Sequence, residues 1–312
     1  MMQNLDRRRF LHAGLRGATA LGVAALPGVS AWAAAALTAP VSTRLADHLL
    51  LITGAGGNIL AARDADGLLL VDGGTRQAGP VALKLALREL GARRAHTLIN
   101  THWHPEQTGL NEPLGKAGAK IIAHENTRLW LSTDVRMTPD AVPILRLPAF
   151  ARPNATTYST GTLMLGDEEV RYGYLSQAHT DGDLYVKFTK SNVLVTGGVV
   201  AGNGWPTADW VTGGWINGTA NGYRTLIGLC DAGTRVVTAN GTKVIGKAEL
   251  EAERAIVADL ADQLGKMMRK GFAPADMLAA APAKAYEARL GDATQFLTES
   301  FKSLWPRMAP DA

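Results

Sequence analysis

Thr101-His102-Trp103-His104-Pro105-Glu106-Gln107-Thr108-Gly109 is the stretch on which the reading of this chain turns. Two histidines one residue apart can each point an imidazole at a common ion when the backbone between them is extended or tightly turned. An acid, Glu106, follows two residues later, as in a metal-ligand loop. Zinc binds neutral imidazole nitrogen well, and three such ligands with a water in the fourth position make a hydrolytic site. The flank suits that role. His96–Asn100 reads as a short strand delivering the loop at its C-terminal end, where layered α/β folds usually place their active sites.

The stretch resembles the His-x-His-x-Asp-His signature of the metallo-β-lactamase superfamily, with Glu106 where the family has Asp and Gln107 where it has His. The resemblance continues in order from about residue 47 to 250. Gly54–Asn58 and Leu69–Gly74 resemble the family's first strands and their Asp-bearing turn, which puts Asp72 in the acidic position. Ala178–Leu184 resembles the segment that carries the third histidine of the first metal site, here His179. Val193–Gly198 resembles the strand that normally ends in a metal-bridging Asp, and Val236–Thr242 the turn that supplies the last histidine. Those two positions hold Gly198 and Asn240. The resemblance implies an αβ/βα four-layer sandwich and a zinc, one per chain, on His102, His104 and His179. It also implies that Asp72 orients the ligand histidines from behind. A plain turn-former before Gly73 and Gly74 is the other reading of that acid.

Of the seven histidines, none follows His179, so no later histidine can complete a second metal site. His12 belongs to the N-terminal leader, while His48, His96 and His124 sit at strand ends and read as structural. Gln107 and Asn240 bind zinc weakly, yet both can donate hydrogen bonds, for instance to a substrate oxyanion. Glu106 could serve as general base for a zinc-bound water. Its extra methylene shifts the carboxylate by about 1.5 Å relative to Asp, and a misplacement of about 1 Å can cost about 100-fold in rate. Restoring the family residues at 106, 107, 198 and 240 is expected to raise metal content towards two. Two functions remain open. One is an exported zinc hydrolase acting on a small ester, lactone, amide or related substrate. The other is a catalytically silent binding or scaffold protein that keeps the fold, since one fold hosts unrelated functions. No Gly-x-Ser-x-Gly elbow or spaced-glycine dinucleotide fingerprint is present.

The chain's 312 residues divide by character into a leader over 1–33, a main domain over 34–247 and a C-terminal helical extension over 248–312. Asp6-Arg7-Arg8-Arg9-Phe10-Leu11 resembles the twin-arginine export motif, which implies delivery of the folded protein to the periplasm by that machinery. The uncharged stretch Gly17–Thr38 is long enough to span a bilayer, but Pro27, its Ala and Gly content and Ala31-Trp32-Ala33 favour a cleaved signal. Four of the 32 basic residues and one of the 28 acidic residues lie in the leader, so the remainder is nearly neutral. That balance argues against nucleic acid as a partner. Cys230 is the sole cysteine, so no internal disulfide can form, and it reads as a buried apolar residue.

Short strands are expected at 48–53, 58–62, 67–71, 119–123, 162–165, 169–175, 184–188 and 192–196, with a helix over 80–90 burying Leu83, Leu87 and Leu90. Pro139–Pro153 is too irregular for a core element and reads as a lid or specificity loop. Trp205, Trp210 and Trp215 read as packing under a loop before a mouth for apolar substrate. Val257, Leu260, Leu264 and Met268 form the apolar stripe of a long helix, with further helices near 275–281 and 293–304. These helices are a candidate surface for self-association. Replacing Arg7 and Arg8 together by Lys should leave the precursor in the cytoplasm, because an ammonium does not mimic the planar guanidinium. Cell fractionation reads this out, and unchanged periplasmic delivery would point to another route.

Overall fold

Leu49–Ile52, Ile59–Ala62 and Leu68–Val71 are apolar at every position, a pattern for strands buried on both faces. The computed structural model, which describes residues 39–308, places them so. β1 (Val41–Ala46), β2 (Leu49–Thr53), β3 (Ile59–Arg63), β4 (Leu68–Val71), β5 (Ala95–Ile99), β6 (Lys120–His124) and β7 (Ala155–Thr157) form one sheet in sequential order. Pairing is antiparallel from β1 to β4 and parallel from β4 to β7. β8 (Thr160–Leu165), β9 (Glu168–Leu175), β10 (Asp183–Phe188), β11 (Val193–Val195) and β12 (Arg235–Val237) form the second sheet, in the order β12-β11-β10-β9-β8. Only β11 and β12 are parallel there.

Helices α1 (Gly79–Leu90), α2 (Pro105–Thr108), α3 (Asn111–Lys116) and α4 (Glu125–Trp130) interleave with the first sheet. α5 (Ile216–Gly228), α6 (Lys247–Arg269), α7 (Pro274–Ala280), α8 (Glu287–Leu290) and α9 (Thr294–Met308) follow the second. Strand residues alternate between faces, and the core clusters divide accordingly. Leu49, Leu51, Leu69 and Val71 meet Leu184, Val186 and Phe188 between the sheets. Leu50, Ile52, Leu68 and Leu70 pack outward against Ala82, Ala86 and Leu90 of α1. Leu175, Leu194 and Val236 pack outward against Tyr223, Leu260 and Phe301 of α5, α6 and α9. The result is the four-layer helix–sheet–sheet–helix sandwich expected from sequence, with the C-terminal helices forming much of the outer layer.

Several local expectations shift. α1 fully buries Ala82 and Ala86 where the stripe of Leu83 and Leu87 was expected, and those two leucines are only partly buried. Alanine at the contact lets the helix approach the sheet closely, so the leucines flank the seam. Gly91 ends α1 as expected, at φ 63 with its N–H on Arg88 O and Leu87 O. β1, β7 and β12 were not read as strands. The first is a partly exposed edge and the other two are three residues long, too short to show a period. Within residues 139–153 the regular structure is a 3-10 turn at Ala149–Ala151 and one bridge, in which Ile144 pairs with Val135. The leader expected over 1–33, with Arg7 and Arg8, lies outside the described residues.

α6 carries the expected stripe: Val257, Leu260 and Leu264 are buried, while Met268 packs at the margin. Leu260 is wholly buried. Leu260→Ala should cost about 2–5 kcal/mol, the range for truncating a buried leucine. Chemical denaturation measures this, and a loss under about 1 kcal/mol would mean that the outer layer packs loosely.

Candidate metal centre

β4, β5 and β6 run parallel, so their C-terminal ends fall on one rim of the sandwich. Asp72 follows β4, the Thr101–His104 loop follows β5, and His124 ends β6. His179 reaches the same place from the loop between β9 and β10. His102, His104 and His179 are buried, and one ligand nitrogen from each lies within 4.8 Å of the others. Among the described residues this is the only cluster of three or more potential metal-ligating side chains. Ring centroids are 4.9, 4.7 and 4.9 Å apart in near-perpendicular pairs, as for rings directed at a common point.

Hydrogen bonds behind the rings fix which nitrogen faces inward. Nδ1 of His179 is 2.7 Å from Thr207 O, which can only accept, so that nitrogen carries the proton and Nε2 offers a lone pair. Nε2 of His104 is 3.0 Å from Asp209 Oδ2, leaving Nδ1 to face inward. Those two inward nitrogens stand 3.0 Å apart. Nδ1 of His102 is 3.0 Å from Thr101 Oγ1, whose hydroxyl donates to Asp72 Oδ2 at 2.8 Å. Asp72 also accepts the Thr101 N–H at 2.8 Å. Because its hydroxyl proton goes to Asp72, Thr101 Oγ1 accepts from His102 and turns the Nε2 lone pair inward. Burial pushes the Asp72 carboxyl up to about 8 despite the two Thr101 hydrogen bonds.

The electrostatics agree. Burial and the neighbouring rings hold His102 well below the ordinary histidine range, and burial then His104 bring His179 down to about 3. Burial also opposes charge on His104, but the Asp209 hydrogen bond, with Glu106 and Asp209 charges, leaves it above the usual value. Asp209 is held below the carboxylate range, its burial more than offset by His104. A divalent cation replaces whatever proton the inward nitrogens carry, as expected when imidazoles become ligands. Three neutral nitrogens facing inward, each with an acceptor behind it, fit zinc.

The other expected residues take distinct places. Asp72 lies behind His102 but acts on it through Thr101, not directly. Glu106, on the first turn of α2, stays outside the three-ring cluster, and burial raises its carboxyl while His104 lowers it. Gln107 lies under the Gly54–Asn58 loop, where a Cβ on Gly57 would sit 2.7 Å from its Nε2. Oε1 of Gln107 and Oδ1 of Asn240 are both buried without a hydrogen-bond partner. Asn240 itself is held by backbone bonds to Ala201 and Thr238. Asp183 ties down its loop, accepting from His179 N, Thr180 N and Thr180 Oγ1. His48 pairs with Glu168, His96 with Asp64, and His124 stacks on Tyr174, all away from the three rings.

Gly198 corrects one expectation. A Cβ there would stand 2.0 Å from Cδ2 and 2.5 Å from Nε2 of His179, because the ring lies against the glycine backbone. Restoring an acid at 198 therefore displaces a first-site ligand before it can hold a second metal. Sequence reading missed Asp209 and Thr207 altogether. The only local sign is Asp209-x-x-Thr212, whose carboxylate accepts from Val211 N and Thr212 N as a turn-former does.

The sequence profile of the metallo-beta-lactamase superfamily matches residues 52–256, and the chain belongs to that superfamily. No curated protein matches it in sequence. Among solved structures, it is similar to a metallo-beta-lactamase from Pontibacter korlensis at 15% identity and TM-score 0.56, covering 70% of this chain and 99% of that one. DIM-1 metallo-beta-lactamase is similar at 16% identity and TM-score 0.55, over 71% and 98% of the two chains. The sec-alkylsulfatase Pisa1 from Pseudomonas sp. is similar at 15% identity and TM-score 0.61, over 86% of this chain and 50% of that one. At these identities the likeness concerns the fold.

The contact at Gly198 gives a direct test. Gly198→Ala should lower the zinc retained after loading and dialysis at least tenfold while the far-UV circular dichroism stays unchanged, since only the His179 ring must move. Full zinc retention would mean that the ring has room to shift.

Proposed function

We propose that this chain is an exported, one-metal hydrolase whose ion sits on His102, His104 and His179. The observation that carries the reading is the outward hydrogen bonding of those rings to Thr101, Asp209 and Thr207 O, which leaves three nitrogens facing inward. Zinc, when bound, supplies a Lewis acid that can bring the pKa of a water ligand to about 7. The second-metal positions of the family carry Gln107, Gly198 and Asn240, and the steric closure at Gly198 supports a single ion.

Glu106 is the proton-handling group in this reading. Its carboxyl lies in a buried setting that raises its pKa, which brings a carboxylate closer to the range useful for general base work. Gln107 and Asn240 each carry a buried amide oxygen without a hydrogen-bond partner, which a substrate donor could satisfy. An amide can rotate to offer N–H instead, so the pair suits the two ends of an ester, lactone or amide. Because the similar structures include beta-lactamases and an alkylsulfatase, a substrate screen should include β-lactams and sulfate esters beside these. The leader supports delivery to the periplasm, with metal loaded before transport.

Glu106→Gln should keep zinc at the parental level, near one equivalent by metal analysis, while lowering turnover of any screened substrate about 100-fold or more. Turnover unaffected by the change would remove the role given to Glu106. No turnover in the zinc-loaded parent across the screen would favour the silent scaffold instead.

A further inference from the structure

On the outer helical layer, α5, α6 and α9 enclose a trough of about 640 Å³. Its floor is small: Ala220 from α5, with Ala258, Ala261 and Gly265 from α6. Arg254, Arg269 and Arg307 surround this floor, against one acid, Asp262. Asp262 is already paired with Lys266, as Lys247 is with Glu251, so the other cations of this helix have their own anions. None of the three arginines forms an ion pair among the described residues. Nε of Arg254 is buried without a hydrogen-bond partner.

The arginines are placed to converge. Arg254 and Arg269 lie on one face of α6, in register with Ala258, Ala261 and Gly265 at helical spacing. Arg269 folds back along the trough, bringing Nη1 within 3.5 Å of the Cβ position at Gly265. Arg307 lies over the Trp215 ring at 4.3 Å and is steadied by Gln177 Oε1 at 2.8 Å from its Nη2. Trp215 and Asn217 bring the N-terminal turn of α5 to the wall, and a helix N-terminus adds positive potential. Three guanidinium groups without carboxylate partners, around a cavity of ligand size, present bidentate donors of the kind that recognise oxyanions.

We propose that this trough is a binding site for a small organic anion carrying carboxylate, sulfate or phosphate groups, separate from the histidine centre. Trp215 and the small floor accept the ligand's apolar body, while Arg254, Arg269 and Arg307 take its oxyanions. The proposal does not rest on the hydrolase reading, since the trough's lining and the three-histidine cluster share no residue.

Isothermal titration of the full-length protein with naphthalene-1,5-disulfonate, an aromatic dianion, tests this. One saturable site is expected, weakened at least tenfold in Arg254→Gln and in Arg307→Gln. Arg269→Gln, exposed and tolerant, should weaken it measurably, with all three variants melting within a few degrees of the parent. Removal of metal with a chelator should leave the affinity unchanged, as should Arg146→Gln, a change of equal charge on a distant exposed loop. Absence of saturable binding would overturn the proposal. Binding lost on metal removal would place the probe at the histidines, and equal weakening by Arg146→Gln would show attraction to bulk charge; either result overturns it too.

Discussion

Three imidazoles can bind a common ion only when each turns a lone pair towards it. In this protein that task falls to groups that never face the centre: the Thr207 carbonyl, the Asp209 carboxylate and the Thr101 hydroxyl backed by Asp72. Each anchors the outer nitrogen of one ring. Burial alone would make the rings poor bases without choosing a tautomer, and hydrogen bonds alone would choose one without keeping water out. The centre needs both, and the sandwich supplies both by bringing the ends of β4 and β5 against the loop before β10.

The strand layout was legible because these strands are apolar at every position and punctuated by glycine and acid turns. Leu49–Ile52 and Leu68–Val71 could hardly have been anything else. The long helix α6 announced itself through Val257, Leu260 and Leu264. His102, His104 and His179 were legible from their order and spacing against a known family pattern, and the fold brings them together. Composition alone would have given none of them.

What escaped the sequence has a common cause. Asp209 and Thr207 sit in the irregular segment 203–215, where no period separates a ligand's support from a loop filler. Asp209 lies 105 residues from the ring it holds, and only the fold makes them neighbours. Trp205, Trp210 and Trp215, expected to pack under a loop, instead meet helix α9: Trp205 stacks on Phe296 at 4.6 Å, while Lys302 lies over Trp210 and Arg307 over Trp215. The closure at Gly198 was invisible for the opposite reason. A missing acid reads as a lost function, whereas the structure shows a volume already taken by a ring.

Trp103, between the two histidines of the loop, makes the centre mechanically closed. Its indole N–H donates to Thr212 Oγ1, Thr212 donates to Asp209, and Asp209 holds His104, the next residue along from Trp103. The chain of contacts therefore begins and ends on adjacent residues, while the Trp103 ring is packed against Leu131 and Val135 in the segment that follows α4. Neither His104 nor Trp103 can swing alone. The residence time of an ion would then follow how often the segment packed on Trp103 opens locally, and two variants with equal affinity could still exchange metal on very different timescales.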